Sequence, residues 1–166
     1  MHKVFGLAVA AAGMLAGAAD AATTPATLPI SATVQATCSA STGPLAFGAY
    51  TPGSGARTGN TTINVRCTKS TGYTVALNAG TTTGGTFAQR LMAAGAGTLQ
   101  YNLYTTAGFA SIFGDGSAST LTVAGTGAGV STPNAVAVFG QLPDSAANQL
   151  AIPGSYTDTV TVTVTY

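Results

Sequence analysis

From Thr159 to Tyr166 the chain alternates without a break. Val160, Val162, Val164 and Tyr166 share one phase, and Thr159, Thr161, Thr163 and Thr165 share the other. Period two sends successive side chains to opposite faces of a strand. The run therefore has one buried and one wet face and does not suit a helix, whose apolar residues recur about every 3.6 positions. The same period returns in Ile63, Val65 and Cys67, in Tyr73, Val75 and Leu77, and in Leu99, Tyr101 and Leu103. It appears briefly from Leu121 to Val123, and again in Val136, Val138 and Leu142, where Gly140 reads as an interruption. Leu28, Ile30, Ala32, Val34 and Ala36 form a further run that leads into Cys38. Val and Thr fit a pleated, half-buried surface. Gly-rich turns separate the runs at Thr51–Gly55, Gly84–Gly85, Gly95–Gly97, Gly114–Gly116 and Gly125–Gly129. Short strands spaced by such turns predict an all-β sandwich. Ala88 to Ala94 is the sole helical candidate, and Gly95 ends it.

The N-terminus reads as an address. Met1-His2-Lys3 is positive, Val4 to Ala19 is apolar, and Ala19-Asp20-Ala21 has the small-x-small form of a cleavage site. This predicts a secretory signal peptide over residues 1–21 and a mature chain from Ala22. The apolar run falls short of the roughly 20 residues that span a bilayer. No later stretch is long and apolar enough for a membrane helix, so the mature chain is expected to pass through the periplasm to the cell surface or beyond. In that oxidising compartment Cys38 and Cys67 most simply form one disulfide. A metal site lacks partners, because the single histidine, His2, leaves with the signal.

Chemistry is constrained mainly by what is missing. The mature chain has no His, Glu or Trp; its acids are Asp115, Asp144 and Asp158, and its bases Arg57, Arg66, Lys69 and Arg90. A histidine-dependent nucleophile cannot be assembled, and three scattered carboxylates make a poor glycosidase pair. The expectation is a protein that is not an enzyme and takes no cofactor. A net charge of +1 without a basic patch argues against nucleic acid. Charged residues are 5% of the chain, against about 25% in an average soluble domain, and weak self-repulsion suits a protein that associates. Phe113-Gly114-Asp115-Gly116 reads as a tight turn, since a calcium loop needs several more oxygen side chains. Gly125–Gly129 lacks the Lys and hydroxyl ending of a phosphate loop, and Lys69-Ser70 reads as solvated surface.

The run Leu28–Cys38, the spacing from Cys38 to Cys67, the Phe113–Gly116 turn and the ending Tyr156–Tyr166 together resemble the spore coat protein U domain family. That family includes pilin subunits of archaic chaperone–usher pili. The resemblance implies an incomplete immunoglobulin-like β-sandwich that lacks its last strand and is completed by donor-strand complementation. A periplasmic chaperone fills the gap first. The N-terminal segment of another copy or a related pilin then replaces it at an outer-membrane usher. On this reading residues 22–37 are a donor segment merging into the first strand, and 38–166 are the sandwich. Leu28, Ile30, Ala32 and Val34 match the donor strand. Val160, Val162, Val164 and Tyr166 match the acceptor and chaperone-binding edge, and Cys38 and Cys67 match the family disulfide. Pro29 lacks an amide hydrogen and weakens the upstream end of a strand paired on both sides. Asp158 falls in the apolar phase of the final run, so burial is expected to begin only at Val160. The implied function is a structural pilin subunit of a surface fibre, with a role in adhesion or biofilm. The alternatives are a secreted spore-coat-like structural protein and a carbohydrate-binding adhesin module, in which six Tyr replace the absent Trp in stacking.

Overall fold

The computed structural model describes residues 20–166; the expected signal peptide lies almost wholly outside the described residues. The chain divides into two units, one ending at Thr33 and one running from Val34 to Tyr166. In the first, residues 20–33 have no regular secondary structure and are exposed. The second contains β1 (Cys38–Thr42), β2 (Arg57–Cys67), β3 (Gly72–Leu77), β4 (Arg90–Ala94), β5 (Gly97–Tyr104), β6 (Val123–Thr126), β7 (Asn134–Leu142), a 3₁₀ turn (Asn148–Leu150) and β8 (Val162–Thr165). Leu28–Ala36 therefore forms no strand, and β1 starts at Cys38.

The strands make two antiparallel sheets, β1-β2-β7-β5-β4 and β6-β3-β8. The order follows the immunoglobulin-like layout, in which strands A, B, E and D form one sheet and C, F and G the other. Here β1, β2, β7 and β5 stand at A, B, E and D, while β3 and β8 stand at C and F. Strand G belongs beside β8, and no strand among the described residues occupies that place.

The alternating runs supply the core. Ile63 and Val65 of β2, Val75 and Leu77 of β3, and Val138 and Leu142 of β7 are almost wholly buried. Burial of each such side chain contributes about 1.5–3 kcal/mol. Gly140 does not interrupt β7. It pairs with Gly59 on one side and Leu103 on the other, and a Cβ there would strike Leu45 and Phe47. The missing side chains make a shelf on which those two residues lie. Leu121 forms only an isolated bridge with Phe113, so the strand expected over 121–123 begins at Val123 instead.

Ala88–Ala94 is not helical but supplies β4, which hairpins onto β5 through Gly95 at φ 57°. Its first residue, Arg90, is 0% exposed. The guanidinium donates to the Asn78 carbonyl (2.7 and 3.1 Å), Asn102 Oδ1 (2.6 Å) and the Phe113 carbonyl (2.7 Å). Burial lowers its pKa, and the three oxygens supply what water no longer does.

A disulfide joins Cys38 and Cys67, 29 residues apart in sequence. Closing such a loop stabilises a domain by about 3–4 kcal/mol on the chain-entropy account.

Candidate functional site

The vacant strand position opens into a groove. Directly paired residues share a face of a sheet. Ala40 and Thr42 of β1 sit opposite Val65 and Ile63 and so face inward, yet both are exposed. Across the gap, Val160, Val162 and Val164 pack against the core but are only half-buried. Between these walls lies a cleft of about 360 Å³. Its floor is core side chains, among them Ile63, Leu77, Tyr101 and Val138, and its walls run from Thr42 to Phe47 and from Tyr156 to Val162. Phe47 meets Tyr101 edge-on at 5.9 Å. A second cleft of about 740 Å³ adjoins it, sharing Leu45, Phe47, Met92 and Tyr156.

The unpaired edge of β8 has a definite hydrogen-bonding parity. The Thr161 carbonyl accepts from the Asn78 amide (3.1 Å), and the Thr161 amide donates to Asn78 Oδ1 (2.9 Å). Odd residues thus turn their backbone groups toward β3. Even residues, Val160, Val162 and Val164, turn theirs toward the vacant position, because the two directions alternate along a strand. Of the expected acceptor residues, Val162 and Val164 lie within β8, Val160 precedes it, and Tyr166 follows it with its side chain largely exposed.

Asp158 departs from expectation. Burial does not begin after it; its side chain points into the groove wall. Oδ1 accepts from the Thr81 amide and hydroxyl (2.9 and 3.2 Å) and the Thr82 amide and hydroxyl (both 3.0 Å). Oδ2 accepts from the Tyr101 hydroxyl at 2.6 Å. Partial burial pushes the carboxyl pKa up, but the hydrogen bonds from Tyr101 and the Thr81 and Thr82 region outweigh it and hold the group below its ordinary value. Gly80, at φ 92°, leaves the space this carboxylate occupies. The wall is tied a second time where Thr157 and Ala93 exchange backbone hydrogen bonds of 3.0 and 3.1 Å. Sequence reasoning missed Leu45 and Phe47 and took Asp158 only as the boundary of burial. The spacing of Leu45 and Phe47 was the available signal, but it is too short to stand out.

The expected donor residues are exposed: Leu28 82%, Ile30 87% and Val34 86%. Val34–Thr37 is likewise without regular structure. The Thr37 carbonyl accepts from the Thr68 amide (2.9 Å), and the Thr37 amide donates to Thr68 Oγ1 (3.3 Å). These bonds continue the β1–β2 ladder one residue beyond the disulfide.

The second cleft is bordered by a loop with its own anchor. Asp144 accepts from the Tyr50 hydroxyl (2.5 Å) and from the Gly53 and Gly55 amides (3.0 and 2.9 Å). Those bonds, Tyr50's first, lower the Asp144 pKa to about 2. Burial, then the bond to Asp144, raises Tyr50 to about 12. Asp144 therefore adds stability above about pH 4, its unfolded range, and loses it as pH falls through about 2. Tyr50 contributes fully below about pH 10 and loses its share as pH rises through about 12. Limited proteolysis should find the 51–55 loop protected at neutral pH, and Asp144→Asn should expose it there. Equal protection in the variant would show that the carboxylate does not hold the loop.

The Phe113–Gly116 segment is the expected turn, with Asp115 Oδ1 accepting from the Ser117 amide and hydroxyl (2.9 and 2.6 Å). The described residues contain no group of three or more potential metal-ligating side chains.

A family model described as the Spore Coat Protein U domain matches residues 24–163. Among solved structures, the chain is similar to one in the CsuC-CsuE chaperone-tip adhesion subunit pre-assembly complex from archaic chaperone-usher Csu pili of Acinetobacter baumannii. The TM-score is 0.57 at 23% identity, over 81% of this chain and 41% of that one. The chain thus spans less than half of that neighbour, and the likeness is one of fold. No curated protein matches it in sequence.

Proposed function

The chain belongs to the spore coat protein U domain family, and from that premise we propose that it is a structural subunit of a bacterial surface fibre assembled by donor-strand exchange. The observation that carries the reading is a complementary pair. The sandwich has a vacant strand position with an open apolar groove, and the chain carries an exposed alternating run, Leu28, Ile30, Ala32 and Val34. A long unpaired edge beside open core is an aggregation hazard that a working protein covers. Burying Leu28, Ile30 and Val34 contributes about 1.5–3 kcal/mol each. Main-chain bonds to Val160, Val162 and Val164 add to it.

The run serves another copy rather than its own. Bringing Val34 back alongside β1 requires a reversal between Val34 and Thr37, and Thr37 is already tied to Thr68. Head-to-tail contact of this kind builds filaments wherever the rotation between copies does not close a ring. The reading carries with it a cleaved signal over residues 1–21, a periplasmic chaperone that occupies the groove first, an outer-membrane usher, and a cell-surface location. The solved neighbour's chaperone and pilus setting supports these partners.

The test replaces Ile30 and Val34 with Asp. The variant is expected to be exported and to bind a wild-type peptide of residues 22–37, yet to form no fibres by electron microscopy. Normal fibres from this variant would remove the donor role.

A further inference from the structure

We infer that Asp158 selects the register of the inserted strand, placing Ala32 of the incoming segment beside it. The inference rests on the donor-strand reading above. The segment adds antiparallel to β8, the more stable pairing, with its apolar phase inward. Asp158 is the one charged side chain in the inward phase of the wall, between Tyr156 and Val160. Protein donors engage its carboxylate from the Thr81–Thr82 side and from Tyr101. Asp158 lines the cleft and is only partly buried, and an inserted strand removes the solvent that reaches it there. A β-branched side chain there would bury the carboxylate further without giving it a partner, whereas a methyl group covers it least.

Two antiparallel registers put an alanine beside Asp158. One uses Ala36 and carries Leu28 and Ile30 to Tyr166 and Val164, outside the cleft lining, so that Ala32, Val34 and Ala36 must fill a cleft of about 360 Å³. The other uses Ala32. It seats Leu28 by Val162, Ile30 by Val160 and Val34 by Tyr156, all residues of the lining. The second fills the cleft with the larger side chains. Both registers accommodate Pro29. Even residues of the incoming strand face β8 with their backbone groups, so the amide hydrogen that Pro29 lacks is one that β8 never receives.

The full chain carrying both Ile30→Cys and Val160→Cys should give a covalent ladder of subunits on a non-reducing gel, because directly opposed Cα atoms at about 5.5 Å suit a disulfide. Pairing Ile30→Cys with Val162→Cys or with Val164→Cys should give at least tenfold less. A ladder from either of those pairs overturns the register and leaves donor-strand assembly standing. No ladder from any pair in cells bearing fibres overturns the donor reading itself. A peptide of residues 22–37 gives the second measurement. Ala32→Val should weaken its binding to the full-length subunit at least tenfold, and Ala36→Val less than threefold. The reverse order overturns the inference, and failure of the unmodified peptide to bind overturns the donor reading.

Discussion

The Val162→Asp variant is expected to leave no subunit in the exported fraction. Val162 lies opposite Leu77 on β3, and Leu77 is 2% exposed. The new carboxylate would enter an apolar groove without the Thr amides, hydroxyls and phenol that surround Asp158. An unpaired charge in such a place costs several kcal/mol, a large part of the roughly 5–15 kcal/mol that holds a domain together. It would also block whatever strand fills the gap, so the chain would meet periplasmic proteases without cover. Thr163→Asp is the control, since Thr163 faces solvent on the same strand. Immunoblots of exported protein should show the control at the wild-type level. Normal accumulation of Val162→Asp would show that this wall does not receive a strand.

Arg90→Ala is expected to cost about 3–5 kcal/mol, the range seen when a large buried side chain is truncated or a buried polar network is broken. The loss has two sources. A cavity opens where the side chain crossed between β4, β5 and Phe113. In addition, the Asn78 and Phe113 carbonyls lose their donor and Asn102 Oδ1 keeps only the Leu103 amide, and buried groups left unsatisfied cost about 1–3 kcal/mol each. Arg90→Lys should recover only part of this, because one ammonium cannot span all three oxygens in the fork geometry of a guanidinium. Urea unfolding of the peptide-complemented subunit measures both variants. A shift below about 1 kcal/mol for Arg90→Ala would mean that the network relaxes around the gap.

Arg90 also shows where the sequence became hard to read. Period-two alternation identified β2, β3, β5, β7 and the final run, because those strands bury one face and wet the other. In β4 the first inward position is a cation rather than a hydrophobe, only Met92 follows it in phase, and Ala88, Ala93 and Ala94 give no phase, so the strand looked like the start of a helix. Gly140 looked like a break because the absence of a side chain signals a bend as easily as a shelf, and only Leu45 and Phe47 decide between them. Leu28–Ala36 has the pattern of a strand with no partner in its own sandwich, since alternation records that a face is to be buried and not whose core buries it. Asp158 was misread for a related reason. A charged residue in an apolar phase marks the end of burial unless donors from a distant loop meet it, and Thr81 and Thr82 are 77 and 76 residues away along the chain.

The Cys38–Cys67 bond sets the path that force takes through the domain. A pull on Thr37 reaches the disulfide before it can peel β1 away from β2 one hydrogen bond at a time. The load passes instead into β2, which pairs with β7 from Arg57–Leu142 to Val65–Asn134. Tension along β2 strains that ladder in shear, with its bonds resisting together. Across the groove from β1, β8 is held to β3 by the pairs from Thr74–Thr165 to Leu77–Val162 and by the Asn78–Thr161 bonds just beyond them. On the proposed donor-strand assembly, tension that enters at the disulfide and leaves through the groove meets its shortest ladder at β8, and a stretched fibre should yield at that strand while each cystine-bridged body stays folded.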